Sequence, residues 1–115
     1  MKDTQTNVII LPKVLEYLDT IVFILFEKEY FGFLDTSIRY VEELIDDIKI
    51  NLPIKSYKPA PAYFDKYGKG MYYASFRKNK HTQWYVFFRV YKKEKKVIYQ
   101  VRYIANNHTV AQHLF

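Results

Sequence analysis

The 115-residue chain has no cysteine, which excludes a disulfide framework and any cysteine-ligated zinc or iron–sulfur centre. Long apolar runs are also missing. The strongest, Ile21 to Phe26, falls far short of a membrane span, and the opening MKDTQTN lacks the basic-then-apolar layout of a signal peptide. Both absences predict a soluble protein of the reducing cytoplasm with no membrane partner. No Gly-rich phosphate loop, HExxH helix or nucleophile elbow occurs, and Ser37, Ser56 and Ser75 have no neighbours that would activate a hydroxyl. Nothing in the sequence asks for a cofactor or a metal. There is no internal repeat and no low-complexity tract, and the length is that of one domain able to bury its own core.

Acidic residues are scarce in one half only. Residues 1 to 52 hold 5 Lys/Arg against 10 Asp/Glu, a balance of −5, whereas residues 53 to 115 hold 13 against 2, a balance of +11. Such asymmetry points to a polyanionic partner for the second half, or to an acidic protein that covers it.

Proline and glycine are few, and most fall between Pro53 and Gly70, in PIKSYKPAPAYFDKYGKG. That stretch reads as a loop, and its Lys55, Lys58, Lys66 and Lys69 alternate with Tyr57, Tyr63, Phe64 and Tyr67. Before it, Val8 to Leu11 suits a short edge strand ended by Pro12, which also fits the first turn of a helix. Between Lys13 and Phe31, Val14, Leu15, Leu18, Ile21, Val22, Leu25 and Phe26 recur at helical spacing, with Gly32 as the terminator. A second helix, capped by Asp35 or Thr36, would bury Ile38, Val41, Leu44, Ile45 and Ile48. Its Glu42, Glu43, Asp46 and Asp47 read as a solvated acidic face rather than a metal site. So short a link favours an antiparallel helical hairpin.

From Tyr72 to His108 the period changes to 2, in three runs rich in aromatic and β-branched residues. This predicts an antiparallel meander. One face takes Tyr72, Ala74 and Phe76, then Trp84, Val86, Phe88 and Val90, then Val97, Tyr99, Val101 and Tyr103; the helices would cover it. The other takes Tyr73, Ser75 and Arg77, then Tyr85, Phe87, Arg89 and Tyr91, then Gln100 and Arg102. Rings and guanidinium groups on one open face suit nucleic acid, since bases stack on aromatics and arginine forks grip phosphates. Tyr73, Tyr85 and Tyr91 are the candidate stacking residues. Metal-free RNA cleavage needs an acid–base pair and positive charge around the phosphorane, and Arg77, Arg89, Arg102 and His108 form a candidate set. The bland readings are solvent-side strand arginines and a histidine bonded to a local turn. His81 reads as a solvated turn residue, and His113 near the tail fits either role. The Lys92, Lys93, Glu94, Lys95, Lys96 run reads as a hairpin turn, serving either as a solubilising cap or as a salt-sensitive attraction for a nucleic-acid backbone. Asn106-Asn107 suits a turn into a short tail.

The expected architecture is therefore α+β: a helical hairpin on a small antiparallel sheet made of an edge strand and the meander. This order, with WYVFF in the middle strand and VRYIANNHTVAQHL at the end, resembles the RelE/ParE superfamily of toxins from bacterial type II toxin–antitoxin systems. The resemblance covers nearly the whole chain. It implies a toxin neutralised by an acidic antitoxin, acting in one branch as a metal-independent endoribonuclease on ribosome-bound mRNA and in another on DNA gyrase. It also implies that Lys55 and Lys58 are the loop lysines of the site, Arg77 the arginine of the first meander strand and His108 the late basic residue. The family's C-terminal tyrosine has no counterpart after His108, which keeps open a non-catalytic nucleic-acid-binding module of the same fold.

Overall fold

A computed structural model describes residues 4–27, 34–80 and 82–107 of the chain. The elements run β1 (Gln5–Ile10), α1 (Pro12–Glu27), α2 (Leu34–Asn51), β2 (Lys58–Pro59), β3 (Tyr72–Asn79), β4 (Thr82–Lys93) and β5 (Lys96–Asn106), with 3-10 helices at Leu52–Ile54 and Ala62–Tyr67. They form one five-stranded mixed sheet, ordered β1-β5-β4-β3-β2. β1 lies parallel to β5, and the other pairings are antiparallel. The fold class is α+β. No helix among the described residues is long and apolar enough to cross a membrane.

One face of the sheet carries both helices. Val14, Leu18, Ile21 and Val22 of α1 and Val41, Leu44 and Ile48 of α2 are buried against Ala74, Phe76, Trp84, Val86, Phe88, Val101 and Ile104. The rows of β3 and β4 meet as the period of 2 requires, Tyr72 opposite Phe88, Ala74 opposite Val86 and Phe76 opposite Trp84. Trp84 is buried, and its indole N–H donates to the Tyr40 hydroxyl at 2.9 Å, so the ring brings its polar atom into the core already partnered.

The expected all-antiparallel sheet is corrected by the parallel pairing of β1 with β5, because the direction of pairing leaves no mark on a short apolar run. Four further expectations need correction. β1 is longer than the apolar run Val8–Leu11, because the ladder to β5 continues down to Gln5 opposite Lys96. Tertiary pairing recruits polar residues that propensity alone leaves out. In α2 the buried stripe is Ser37, Val41, Leu44 and Ile48, while Ile38 stands exposed and Ile45 packs at the core's margin. The helix already begins at Leu34, so Asp35 sits within its first turn, near the positive end of the helix dipole, instead of capping it. The expected helix end at Phe31 and Gly32 lies outside the described residues.

The third correction is a β-bulge. Phe87 faces Tyr103 and Phe88 faces Val101, so Arg102 is the extra residue and Tyr103 passes to the face opposite the helices. The fourth concerns that face, which is not open. The 53–70 stretch is structured: β2 pairs with Tyr72 and Tyr73, and the 3-10 helix at Ala62–Tyr67 lies on the sheet. Its anchor is Phe64, fully buried with Met71, Tyr73, Tyr85, Phe87 and Ala105 in a second small core. Phe64 lies 4.4 Å from Phe87 between ring centroids, and Tyr67 stacks on Tyr103 at 3.8 Å with planes 7° apart.

Candidate nucleic-acid cleft

β2 is only two residues long, so beyond Tyr73 the outer edge of β3 has no strand neighbour among the described residues. The segment leading into β2 borders that edge, anchored at its start by fully buried Leu52. Between them lies a cleft of about 590 Å³, lined from the segment by Lys55, Ser56, Tyr57 and Lys58 and from the sheet by Tyr73, Ala74, Ser75, Gln83 and Tyr85.

Each wall is fixed by packing. The Lys55 ammonium sits 4.6 Å above the Phe76 ring. Tyr57 meets Tyr72 edge-on at 4.8 Å and Phe88 at 5.5 Å, which holds the segment against the sheet. Arg77 pairs with Gln83 in the β3–β4 ladder and so shares its face at the cleft's end; the guanidinium is exposed, with Nε donating to the Asn79 carbonyl at 3.2 Å. Burial raises the Tyr85 phenol above its ordinary value, and the neighbouring Tyr73 phenol adds to the effect. Tyr85 therefore keeps its proton at neutral pH and presents a hydrogen-bond donor, not a base. Three cations at one strand edge, beside a protonated phenol, can hold a phosphodiester and donate to one of its oxygens.

The residues expected to form one site divide into two groups. Lys55, Lys58, Tyr73 and Tyr85 line the cleft, and Arg77 stands at its margin. Arg89, Arg102 and Tyr91 share the face but lie towards the other end of β4, where Arg89 is six residues from Gln83, a separation of roughly 20 Å. Arg102 is occupied: Nε donates to the Tyr67 carbonyl at 2.8 Å and Nη1 to Gln100 Oε1 at 2.7 Å, fastening the end of the 3-10 helix to the sheet. Arg89 lies over the Tyr91 ring at 5.4 Å. Tyr73 and Tyr85 are only 8% and 4% exposed, so they do not offer ring faces for bases to stack on. Of the three candidate stacking tyrosines only Tyr91 is exposed. His81, His108 and His113 lie outside the described residues. The residue before His108 is nonetheless fixed beside the cleft, since Asn107 Oδ1 accepts the backbone N–H of Gln83 at 3.0 Å.

Ser56, Ser75 and Gln83 join the cleft without having been singled out as site residues. Ser75 was legible as a member of the Arg77 row, whereas Gln83 carries no chemical signal until pairing sets it opposite Arg77. On the acidic face of α2, Asp47 accepts from Asn51 at 2.6 Å and Glu43 lies 4.0 Å from Lys78. No protein-family model matches the sequence, and no curated protein matches it either.

Proposed function

We propose that the protein is a RelE/ParE-like toxin, a metal-independent endoribonuclease that acts in the cytoplasm on ribosome-bound mRNA and is neutralised by an acidic antitoxin. The observation that carries this reading is the cleft at the β3 edge, which gathers Lys55 and Lys58 with the Tyr85 phenol and has Arg77 at its margin. The element order supports it as well, with β1 and the helical hairpin preceding a meander whose last strand returns beside β1. The +11 balance of residues 53 to 115 supports an acidic protein as the neutralising partner.

In this reading Lys55, Lys58 and Arg77 hold the scissile phosphate and stabilise the charge that builds on it. The 2′-oxygen attacks phosphorus, and the 5′-oxygen leaves, giving a 2′,3′-cyclic phosphate and a 5′-hydroxyl. Tyr85 donates to the phosphoryl oxygens or the departing oxygen. His108, which follows the anchored Asn107 in the chain, takes the proton from the 2′-hydroxyl, work suited to an imidazole. Arg102 supports the fold here, while Arg89 and Tyr91 stand apart from the chemistry.

Inducing the protein in bacteria and mapping RNA 5′ ends tests the assignment. The expected result is growth arrest with new 5′-hydroxyl ends inside translated messages, both abolished in a Lys55→Gln, Lys58→Gln, Arg77→Gln variant. Arrest with intact mRNA and a DNA-damage response would replace ribonuclease with gyrase inhibition. Unimpaired growth of cells making the unaltered protein would leave only a non-catalytic binding module.

A further inference from the structure

The β4–β5 hairpin runs past the start of β3, whose first residue Tyr72 lies opposite Phe88, so Arg89 to Lys93 have no strand partner on that side among the described residues. On the other side β1 braces β5 to its first residue, with Gln5 opposite Lys96 and the Gln5 N–H donating to the Lys95 carbonyl at 2.8 Å. The hairpin end is thus a supported projection. Lys92, Lys93, Glu94, Lys95 and Lys96 are all exposed there, and none of the four lysines forms an ion pair among the described residues.

Two features of this end work against stability. Lys93 and Lys96 are directly opposite in the ladder, where like charges repel. Glu94 has φ +55 and is the sole non-glycine residue with positive φ among the described residues. A two-residue turn with positive φ at its first position is one that glycine normally fills. A carboxylate side chain is kept where none is easiest, in the middle of four cations.

The ladder also fixes where the charges point. Lys92 shares the face of Val90 and Phe88, whereas Lys93 and Lys96 lie on the face of Tyr91 and Arg89. Positive charge thus stands on both sides of the ribbon. A flat anionic surface or a single strand meets only one side, but a groove between two phosphate backbones meets both. The lysines act as point charges that hold phosphates without reading sequence. Glu94 alone would be repelled by phosphates, but its carboxylate can accept a hydrogen bond from a 2′-hydroxyl, the group that distinguishes RNA from DNA.

We propose that the end of the β4–β5 hairpin docks into a groove of double-helical RNA, with Lys92, Lys93, Lys95 and Lys96 on the flanking phosphates and Glu94 on a 2′-hydroxyl. This contact is separate from the cleft, since Lys93 lies eight residues along β4 from Tyr85, roughly 26 Å away. It rests on the reading of an RNA-directed protein and adds a docking site for structured RNA to it.

Fluorescence anisotropy with a short labelled RNA duplex and a DNA duplex of the same sequence, over a salt series, tests the proposal without ribosomes or cleavage. The unaltered protein is expected to bind the RNA duplex more tightly. In a Lys92→Gln, Lys93→Gln, Lys95→Gln, Lys96→Gln variant the slope of log affinity against log salt should fall by roughly 0.9 for each lysine removed. Glu94→Ala should abolish the preference for RNA over DNA, and Glu94→Gln, which keeps an acceptor oxygen, should retain it. An unchanged salt slope in the lysine variant, or equal binding of both duplexes by the unaltered protein, overturns the proposal. Circular dichroism of each variant checks the fold, which substitutions at exposed turn residues should leave intact. A Lys55→Gln, Lys58→Gln protein should keep the RNA preference, so absence of cleavage by the unaltered protein would count against the cleft and not against the hairpin.

Discussion

Gly68→Ala should destabilise the protein by far more than a surface alanine usually does, and the reason can be divided into parts. Gly68 ends the 3-10 helix with φ +142, a region that costs a non-glycine residue of order 1–3 kcal/mol. A Cβ there would lie 2.6 Å from Arg102 Nε and 3.1 Å from its Cδ, so the arginine must swing away. Doing so breaks the bonds from Nε to the Tyr67 carbonyl and from Nη1 to Gln100. Bonds to charged groups contribute about 1.5–3 kcal/mol each, but this half-buried guanidinium regains water on release, so about 1 kcal/mol for the pair is the better figure. The total is about 2–4 kcal/mol, measurable as a fall in the urea unfolding midpoint. In an Arg102→Ala background the clash is gone, and Gly68→Ala should cost only the backbone part. The coupling in the double-mutant cycle should therefore be about 1 kcal/mol. Equal costs in both backgrounds would refute the claim that Arg102 clasps the 3-10 helix and would return it to the pool of free phosphate ligands.

Phe64→Ala should cost about 3–5 kcal/mol, because it empties the centre of the second core; a thermal melt reads it, and a loss near that of a surface residue would contradict the packing. Ser37 Oγ is buried with no hydrogen-bond partner among the described residues, so Ser37→Ala should raise stability by up to about 1 kcal/mol in urea unfolding. Replacing Glu94 with glycine should likewise stabilise, by about 0.5–1 kcal/mol, since relief of the positive φ exceeds the added chain entropy of glycine. At high pH the tyrosines decide: burial raises Tyr85, Tyr99 and Tyr103 above the unfolded value of 10.0. Each keeps its proton in the native state while the unfolded chain loses it. Their contribution is thus complete below pH 10 and falls as pH rises towards the folded values, by up to about 1.4 kcal/mol per pH unit for each tyrosine. Unfolding free energies between pH 9 and 11 that do not decline would contradict this.

The parts of the fold written in periodicity were legible in the sequence. The Trp84 row, the Phe76 row and the Leu18 and Leu44 stripes needed only periods of 2 and 3.6, because each buries one side against a neighbour. The bulge at Arg102 was hidden, since a bulge changes the face of every later residue without altering composition, and it moved Tyr103 across the sheet. The 53–70 stretch was read as loop because of its prolines and glycines, while its order comes from Phe64, one aromatic whose burial depends on a surface built from β3, β4 and β5, most of it far along the chain. That covering segment also explains why Tyr73 and Tyr85 are not stacking platforms. Lys55 and Lys58 were legible only as lysines of a basic loop, and their site role came from the resemblance; that they line one cleft with Gln83 was not legible, because it follows from β2 stopping after two residues.

The most direct measurement for the cleft assignment is single-turnover cleavage of a defined message on programmed ribosomes by purified protein, with Tyr85→Phe and Lys55→Gln, Lys58→Gln proteins alongside. Cutting by the unaltered protein in the presence of chelator is expected, with a loss of at least tenfold in rate when the Tyr85 phenol is removed and more when the lysines are. Undiminished cutting by both variants would contradict the assignment of the β3-edge cleft as the place where RNA is broken.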